Sequence, residues 1–418
     1  MMNPFYIHEP LDKKITYYLI VALLFSLPFA IFYSEVILIT LVLHTAIQLR
    51  KEKLRTIMSR DLFILQGIFF LTMICTLYSP DKKKAFEYWQ IHAAILFLPL
   101  LFAANSLDIS KYRNNFLRIF SWILTLIILY LYGDALFSIA YFHLPLSNLF
   151  YPSFVNHNFS KPLDIHPTYL SMYVAISLIY VSRCLVRKSS LTLKCFYGIQ
   201  VLVLLAGMVQ LGSKSVLLAT ILIYIVIFIT ASISLKRKFF LALPSLIIVI
   251  IVGAVILKNE SFRNKYINDL FEDLQGQVND LSETDSRLLR WKAATEVIKT
   301  SPFIGYGTGI EKQALKEEFF KEKLYNSYLG ELDAHNQYLG FWISYGIVGF
   351  GLFLYTLYWG TSRAYRAKDP LFLAFMILVI TVSISENMLD VNKGIMFYAF
   401  FFPLFAGQAG NRKTTPIV

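Results

Sequence analysis

Long apolar stretches, separated by short polar segments, recur along most of the chain. A helix needs roughly 20 mostly apolar residues to cross a bilayer, and about twelve stretches approach that length. They lie near residues 15–33, 34–49, 62–79, 86–105, 116–138, 167–183, 195–212, 214–232, 239–257, 336–358, 370–386 and 393–408. The pattern predicts an all-α, polytopic membrane protein with about twelve transmembrane helices. Because the second and twelfth stretches are short, eleven spans is the alternative.

Composition and the placement of basic residues agree with this pattern. The 418 residues are 56% apolar and 16% charged, whereas a soluble domain carries roughly 25% charged residues. If the N-terminus is cytoplasmic, 22 of the 39 lysines and arginines fall in cytoplasmic segments and only 6 in the short loops opposite. The positive-inside rule therefore predicts that both termini are cytoplasmic. The lysines at 82–84 are a local exception.

The predicted organisation is a single integral membrane domain, 1–418, with a large periplasmic segment at 258–334 between the ninth and tenth spans. A smaller external insertion covers about 139–166. Within the large segment, residues 285–300 predict an amphipathic helix, followed by a second, charged helix at 311–323. The apolar face of the first helix is expected to present Leu288, Trp291, Thr295 and Ile298, and either Asp285 or Ser286 is expected to cap its start.

The net charge of +12 does not require a nucleic-acid partner. The basic runs of 5–8 residues that mark such partners are absent, and the charge is accounted for by topology and by anionic lipid headgroups. No metal-ligand spacing is present. We therefore expect membrane lipid as a partner, no nucleic acid, no metal and no cofactor.

The most informative polar segment opens the tenth span, where His335 follows Asp333 and precedes Asn336. A histidine accepts a proton near neutral pH, and at a membrane boundary it can meet both a lipid-linked substrate and a water-borne acceptor. The alternative is an interfacial histidine without a chemical role, with Gly346 and Gly349 serving helix packing.

Cations form a second group of candidates. Arg287 and Arg290 lie on the predicted external helix, and Lys214 lies in a short loop between two spans. A guanidinium fork grips phosphate oxygens in pairs, and an ionisable group at the membrane boundary is costly and often functional. The alternatives are a solvated basic helix face and a lysine that extends to the interface.

Two further segments carry titratable side chains. His166, before the sixth span, is a candidate proton acceptor or substrate contact, while nearby Asp164 is expected to act as a helix cap because Pro167 suits a first helical turn. Glu386 and Asp390 could orient His335 or bind acceptor hydroxyls. They could equally pair with Lys393.

Taken in order, these residues resemble the bacterial O-antigen ligase and O-antigen polymerase superfamily. The features are the span layout, an arginine four residues before a tryptophan (Arg287 and Trp291), a Pro-x-x-Gly-x-Gly turn at 302–307, and a histidine-asparagine pair that opens a span. From His335 the chain matches the ligase pattern of His, then Asn, nine residues, Gly, two residues and Gly, which ends at Gly349. The sharp resemblance covers roughly 285–350.

The resemblance implies a metal-independent, inverting glycosyltransferase of the inner membrane that takes a glycan from undecaprenyl diphosphate at its periplasmic face. It implies that His335 is the catalytic base and that Arg287, with Arg290, binds the diphosphate. Asn336, His166 and Glu386 are expected to contact substrate. Family members often carry arginine where this chain has Lys214, and lysine keeps the charge but not the bidentate fork.

Three acceptors remain open: a lipid A core sugar, the growing glycan, or a protein hydroxyl. The departure at Lys214 favours a polymerase, whereas the ligase-like histidine pattern favours a ligase. A transporter or flippase for lipid-linked sugars is the alternative from another class, although transporters place polar groups near the bilayer midplane and the candidates here gather at the external rim.

Overall fold

The computed structural model describes residues 4–49, 51–187, 190–230, 234–258, 263 and 285–411. Within those ranges the regular elements are helices, and no strand occurs. In chain order the α-helices are α1 (Leu11–Ser26), α2 (Ile31–Ile47), α3 (Lys51–Ile57), α4 (Arg60–Thr76), α5 (Lys82–Ala104), α6 (Arg113–Tyr141), α7 (His157–Ser160), α8 (Pro167–Val186), α9 (Leu191–Leu211), α10 (Lys214–Thr230), α11 (Leu235–Lys258), α12 (Arg287–Thr300), α13 (Glu311–Lys321), α14 (Tyr325–Leu329), α15 (Gln337–Arg366), α16 (Pro370–Val382) and α17 (Asn392–Asn411).

The all-helical prediction is confirmed for the described residues, and each predicted apolar stretch contains one of the longer helices. Five candidate spans are long and apolar enough to cross a membrane: Lys82–Ala104, Ile109–Tyr141, Pro167–Val186, Leu191–Leu211 and Gln337–Arg366. Three shorter apolar helices are α2, α10 and α16. The protein is therefore a multi-pass membrane protein by its helices, and the number of twelve spans stays a prediction.

Helix α8 forms the centre of the bundle. Burial covers 83% of its most apolar 18 residues, against at most 50% in the other four long candidates. It packs against α6, α9, α10, α11 and α16, so an apolar helix surrounded by apolar helices needs no polar face. The central position of α8 places its N-terminal residues in the middle of one end of the bundle.

We call the end at which α8, α10, α15 and α17 begin the upper end. Hydrogen bonds join the segments that meet there: Ser213 Oγ lies 3.4 Å from Thr168 Oγ1, and Gln337 Nε2 donates to Asp390 Oδ2 at 2.9 Å. These bonds connect α10 to α8 and α15 to the turn before α17. All the candidate site residues named from the sequence lie at or above this end.

The lower end is held by ion pairs. Arg113 and Asp369, each with a side chain only 2% exposed, form a salt bridge, in which Arg113 Nη2 donates to Asp369 Oδ1 at 3.0 Å. Arg363 donates to Asp61 at 2.5 Å. A buried pair of this kind fixes which helices meet, here α6 with the start of α16, more than it adds free energy of unfolding.

The structure gives a reason for Lys82, one of the three lysines that depart from the positive-inside rule. Its ammonium group donates to the carbonyl oxygens of Thr76 and Leu77, each at 2.7 Å. The last carbonyls of a helix lack partners within it and attract cations. The lysine therefore completes the end of α4.

The described part of the external segment, 285–334, folds onto the upper end through its own apolar cluster. Both predicted helices form, as α12 and α13. The cluster contains Ala293, Ala294, Val297, Ile298, Leu315, Phe319, Leu324, Ala334 and Ile343. Because Ile343 belongs to α15, the segment is anchored on the membrane bundle. Residues 259–262 and 264–284 of the predicted segment lie outside the described residues.

The predicted apolar face of α12 is confirmed at Ile298, which is buried, and wrong at Leu288 and Thr295, which are exposed. The buried residues are Arg290, Ala293, Ala294, Val297 and Ile298, whereas Leu288 is 43% exposed. Two alanines allow close approach of the helix to its neighbours, and a buried arginine cannot be found from apolar periodicity. The predicted cap is also absent: Ser286 makes no capping bond through its side chain, and Asp285 accepts the Ser327 amide at 2.6 Å instead.

Helix α15 is broken at Gly346, where φ is 63° and ψ is −165°. The Pro-x-x-Gly-x-Gly turn, 302–307, fills the break. Ile343 and Ser344 offer their carbonyls to amides of this turn, each at 2.9 Å, and the Ile347 amide donates to a carbonyl of the turn at 2.9 Å. Irregular backbone at membrane depth requires such internal partners. Gly346, which only the alternative interpretation assigned to helix packing, is therefore the point where α15 changes direction.

Replacing Gly346 by alanine is expected to lower the free energy of unfolding by at least about 1–3 kcal/mol, because this φ and ψ region is open almost only to glycine. A Cβ atom would also lie 2.2 Å from the Phe303 carbonyl oxygen. Gly351→Ala is the matched control in the same helix, since a Cβ there meets no atom within 4 Å. Thermal unfolding in detergent should show a fall for the first variant alone; equal unfolding temperatures would contradict the interpretation.

Candidate functional site

The turn before α15 presents His335 in an unusual backbone conformation. Its φ is 46°, a region that few residues other than glycine adopt and that often marks functional sites. The His335 amide donates to Asp333 Oδ1 at 2.9 Å. Asn336 then caps α15 by accepting the amides of Tyr338 and Leu339 at 3.0 and 3.2 Å. The side-chain oxygen of Asn336 thus serves the helix, and its predicted contact with substrate stays a prediction.

The imidazole of His335 lies between two carboxylates. Nδ1 is 3.5 Å from Glu386 Oε2, and Nε2 is 3.6 Å from Asp333 Oδ1. The histidine side chain is 32% exposed, whereas that of Glu386 is 11% exposed. An interfacial histidine without a chemical role needs no such partners. The arrangement can take up a proton on the ring and stabilise the resulting charge.

Glu386 is a buried carboxylate in the loop between α16 and α17. Burial raises its pKa, but the hydrogen bond and charge of His335, together with the charge of Arg287, lower the pKa below its ordinary value overall. A group with a lowered pKa keeps its charge at neutral pH. Glu386 is therefore ionised where it meets the imidazole, and it brings together residues from four separate segments.

Hydroxyl groups extend this network to the loop before α10. Thr168 lies within hydrogen-bond distance of Glu386 Oε1, at 3.5 Å, and Ser213 Oγ lies 3.4 Å from the Thr168 hydroxyl. Lys214 follows Ser213 and begins α10, half-buried. The structure thus brings the loop before α10, with Lys214 at its end, to the same site as His335.

His166 lies beside this network as the cap of α8. Its Nδ1 accepts the Thr168 amide at 3.3 Å, so the cap predicted at Asp164 is made by the histidine instead. Asp164, with φ of 50°, ends the preceding turn. Burial is the main cause that lowers the pKa of His166 to about 4, which leaves the ring neutral at neutral pH. The ring also contacts His157, 4.5 Å away between centroids, a residue that the sequence did not single out.

Arg287 reaches the site from the external segment. It begins α12, one turn before Trp291, so the two share a helix face. The Trp291 indole donates to the carbonyl of Ala334, next to His335, at 3.0 Å. The charge of Arg287 lowers the pKa of Glu386. The arginine is therefore held at the histidine turn by its own helix.

Arg290 occupies a different position. It is 4% exposed and lies on the alanine face of α12, and its role as a phosphate ligand stays a prediction. Among the described residues, no group of three or more His, Cys, Asp or Glu side chains could hold a metal ion. Of the three cations predicted to bind the diphosphate, Arg287 and Lys214 are partly exposed, whereas Arg290 is buried.

Sequence reasoning missed the amide that holds the loop of Glu386 in place. Gln337 is fully buried; it donates to Asp390 at 2.9 Å and accepts the Leu389 amide at 2.6 Å. Burial raises the pKa of Asp390 to about 7. The predicted alternative, a pair between Lys393 and these carboxylates, is not formed, because Lys393 donates to the Leu27 carbonyl at 2.8 Å.

Comparison with known proteins finds a family model that matches part of the chain. Residues 199–354 match the model of the family described as O-antigen ligase. The match contains Lys214, Arg287, Arg290 and His335, whereas His166 and Glu386 join the site only through the fold. No curated protein matches the chain. The resemblance to the O-antigen ligase and polymerase superfamily is therefore confirmed over residues 199–354, and it supports a ligase- or polymerase-type role in surface polysaccharide synthesis.

Proposed function

We propose that this protein transfers a glycan from undecaprenyl diphosphate to an acceptor hydroxyl on the periplasmic face of a bacterial inner membrane. The observation that carries the proposal is the position of His335 between two carboxylates. One of them, Glu386, also has its pKa lowered by the charge of Arg287, so the arginine lies near the imidazole. A base beside a fixed cation at one end of an apolar bundle suits a donor with a lipid tail and a charged leaving group.

In the proposed reaction, the imidazole of His335 takes the proton of the acceptor hydroxyl. The hydroxyl oxygen forms a bond to the anomeric carbon while the bond from that carbon to the diphosphate oxygen breaks, and the diphosphate keeps the electron pair. A single displacement inverts the anomeric centre. Glu386, already ionised, stabilises the imidazolium that forms.

The leaving diphosphate gains negative charge during this step. Fixed cations in a partly dry site stabilise such charge without reorganisation. The guanidinium of Arg287 offers a bidentate grip on phosphate oxygens, and Lys214 adds a point charge from the loop before α10. The neutral His166 can supply a hydrogen bond to a sugar or phosphate oxygen but no charge.

For the acceptor, we propose the growing glycan, as in a polymerase, with a lipid A core sugar as the ligase alternative and a protein hydroxyl as the third. The reason is the lysine at position 214, where ligases often carry arginine.

A flippase would be favoured by a broken helix at membrane depth, and α15 is broken at Gly346. The freed carbonyls of the break are, however, bonded to the turn at 302–307. Backbone groups that already have partners do not offer a site for a transported solute. The break therefore supports a rigid site and not a transport path.

The experiment uses the purified protein in liposomes with an undecaprenyl-diphosphate-linked, fluorescently labelled repeat unit. A ladder of products on a gel is the expected result and supports a polymerase. Product formed only after addition of a lipid A core acceptor would support a ligase. Movement of label across the bilayer without any glycan transfer would overturn the proposal in favour of a flippase.

A further inference from the structure

A buried carboxyl group of the external segment lies directly behind the site. Glu311 begins α13 and is 5% exposed. Its Oε1 accepts the amide of Ala334 at 3.1 Å, and its Oε2 accepts Nδ2 of Asn387 at 2.7 Å. Ala334 immediately precedes His335, and Asn387 immediately follows Glu386. One side chain therefore contacts both segments that carry the imidazole and its carboxylate.

We propose that Glu311 is a positioning residue that sets the separation of His335 and Glu386, an inference that rests on the proposed function. The two partners lie 51 positions apart in the chain and meet at 3.5 Å. Because the two segments are distant in the chain, the backbone alone does not fix the distance between the two side chains. A displacement of about 1 Å can lower the rate about 10²-fold. A shared buried partner removes that freedom.

Helix α15, which follows the histidine turn, packs closely against this carboxyl group. A Cβ atom at Gly340 of α15 would lie 2.7 Å from Glu311 Oε2 and 3.0 Å from Asn387 Nδ2. Alanine at this position must push the carboxyl group away from Asn387. Gly340→Ala thus disturbs the contact without changing the chemistry of Glu311.

Burial, with the nearby charges of Asp333 and Asp390, raises the pKa of Glu311 well above its ordinary value. The neutral acid has the same shape as glutamine. Asn387 Oδ1 has no hydrogen-bond partner among the described residues, and turning this amide over would present the oxygen to the amide of a glutamine at position 311. Gln is therefore the conservative replacement.

The test compares Glu311→Ala, Glu311→Gln and Gly340→Ala in the liposome transfer assay, with Glu317→Ala, an exposed carboxylate of the same helix, as the control. We expect the alanine variant and Gly340→Ala to lower kcat about 10- to 100-fold at an unchanged KM for the lipid-linked donor. Glu311→Gln and Glu317→Ala should stay close to the wild-type kcat.

The inference is overturned if Gly340→Ala folds and turns over like wild type, or if Glu311→Gln loses as much activity as Glu311→Ala. If Glu311→Ala does not fold, Gly340→Ala and the glutamine variant decide the question. His335→Ala in the same assay separates the two proposals. An inactive His335→Ala beside a fully active Gly340→Ala contradicts only the role of Glu311, whereas an active His335→Ala contradicts the proposed base.

Discussion

Alanine in place of His335 is expected to lower kcat for glycan transfer about 10²–10⁴-fold, the usual contribution of a positioned general base. The side chain is 32% exposed and its contacts are to two carboxylates, so little packing is lost with it. The KM for the lipid-linked donor should change little, because the proposed cations and the apolar bundle remain. The measurement is steady-state transfer in liposomes, with thermal unfolding followed in parallel.

His143→Ala is the matched control for this experiment. His143 is also a histidine at the upper end with a positive φ, 53° against 46° for His335, and it is exposed. Both variants place alanine in a strained backbone region at similar cost, so a difference in activity reports the imidazole of His335. Wild-type turnover by a folded His335→Ala protein would return this histidine to an interfacial role.

The length of the apolar stretches was sufficient to predict the longer helices, since each predicted stretch overlaps one, but not the short helices α3, α7 and α14. It could not predict the break in α15, because Gly346 has the same composition signal whether it packs against a helix or interrupts one. The decision depends on the turn at 302–307, which is remote in sequence and supplies partners for the freed backbone groups. A hydrogen bond between distant segments leaves no local pattern.

In the site, too, some residues could be predicted from local sequence patterns and others depend on contacts between distant segments. Motif spacing identified His335 and Arg287, because both lie in the segment that carries the resemblance. The sequence predicts Glu311 only as the start of a charged helix, because a buried carboxyl group looks the same in sequence as an exposed one. Its burial depends on Gly340 and on Asn387, a side chain from a third segment. Only the packing of three segments gives that residue its role.

The fold also explains why the external segment belongs to the site. Trp291 bonds to the carbonyl beside the histidine, and the turn at 302–307 fills the break in the helix that the histidine opens. The apolar cluster then anchors α12 and α13 on Ile343. A movement of this segment would displace the base and the arginine together, so we infer that the segment acts as a fixed part of the site.

Removing the charge of Arg287 is expected to lower kcat about 10²–10³-fold, the range measured when one group that stabilises transition-state charge is lost. Arg287→Lys should recover part of this loss, since lysine restores the charge but not the bidentate fork. Lys292→Ala is the control, because it removes an exposed cation from the same helix. If Arg287 binds the diphosphate equally well in the ground state and in the transition state, the KM for the donor will rise while kcat stays unchanged, which would contradict a role specific to the chemical step.

The pH dependence supplies a second and independent measurement of the same residue. Burial raises the pKa of Glu386, and the hydrogen bond and charge of His335 with the charge of Arg287 lower it. Without Arg287 the pKa of Glu386 rises, so the carboxylate is protonated at higher pH and no longer stabilises the imidazolium there. The protonation of the Glu386 carboxyl group, followed by infrared difference spectroscopy, should therefore occur at higher pH in Arg287→Ala and at the wild-type pH in Lys292→Ala. A Glu386 titration that stays at the wild-type position in both variants would place Arg287 too far from Glu386 to affect its charge.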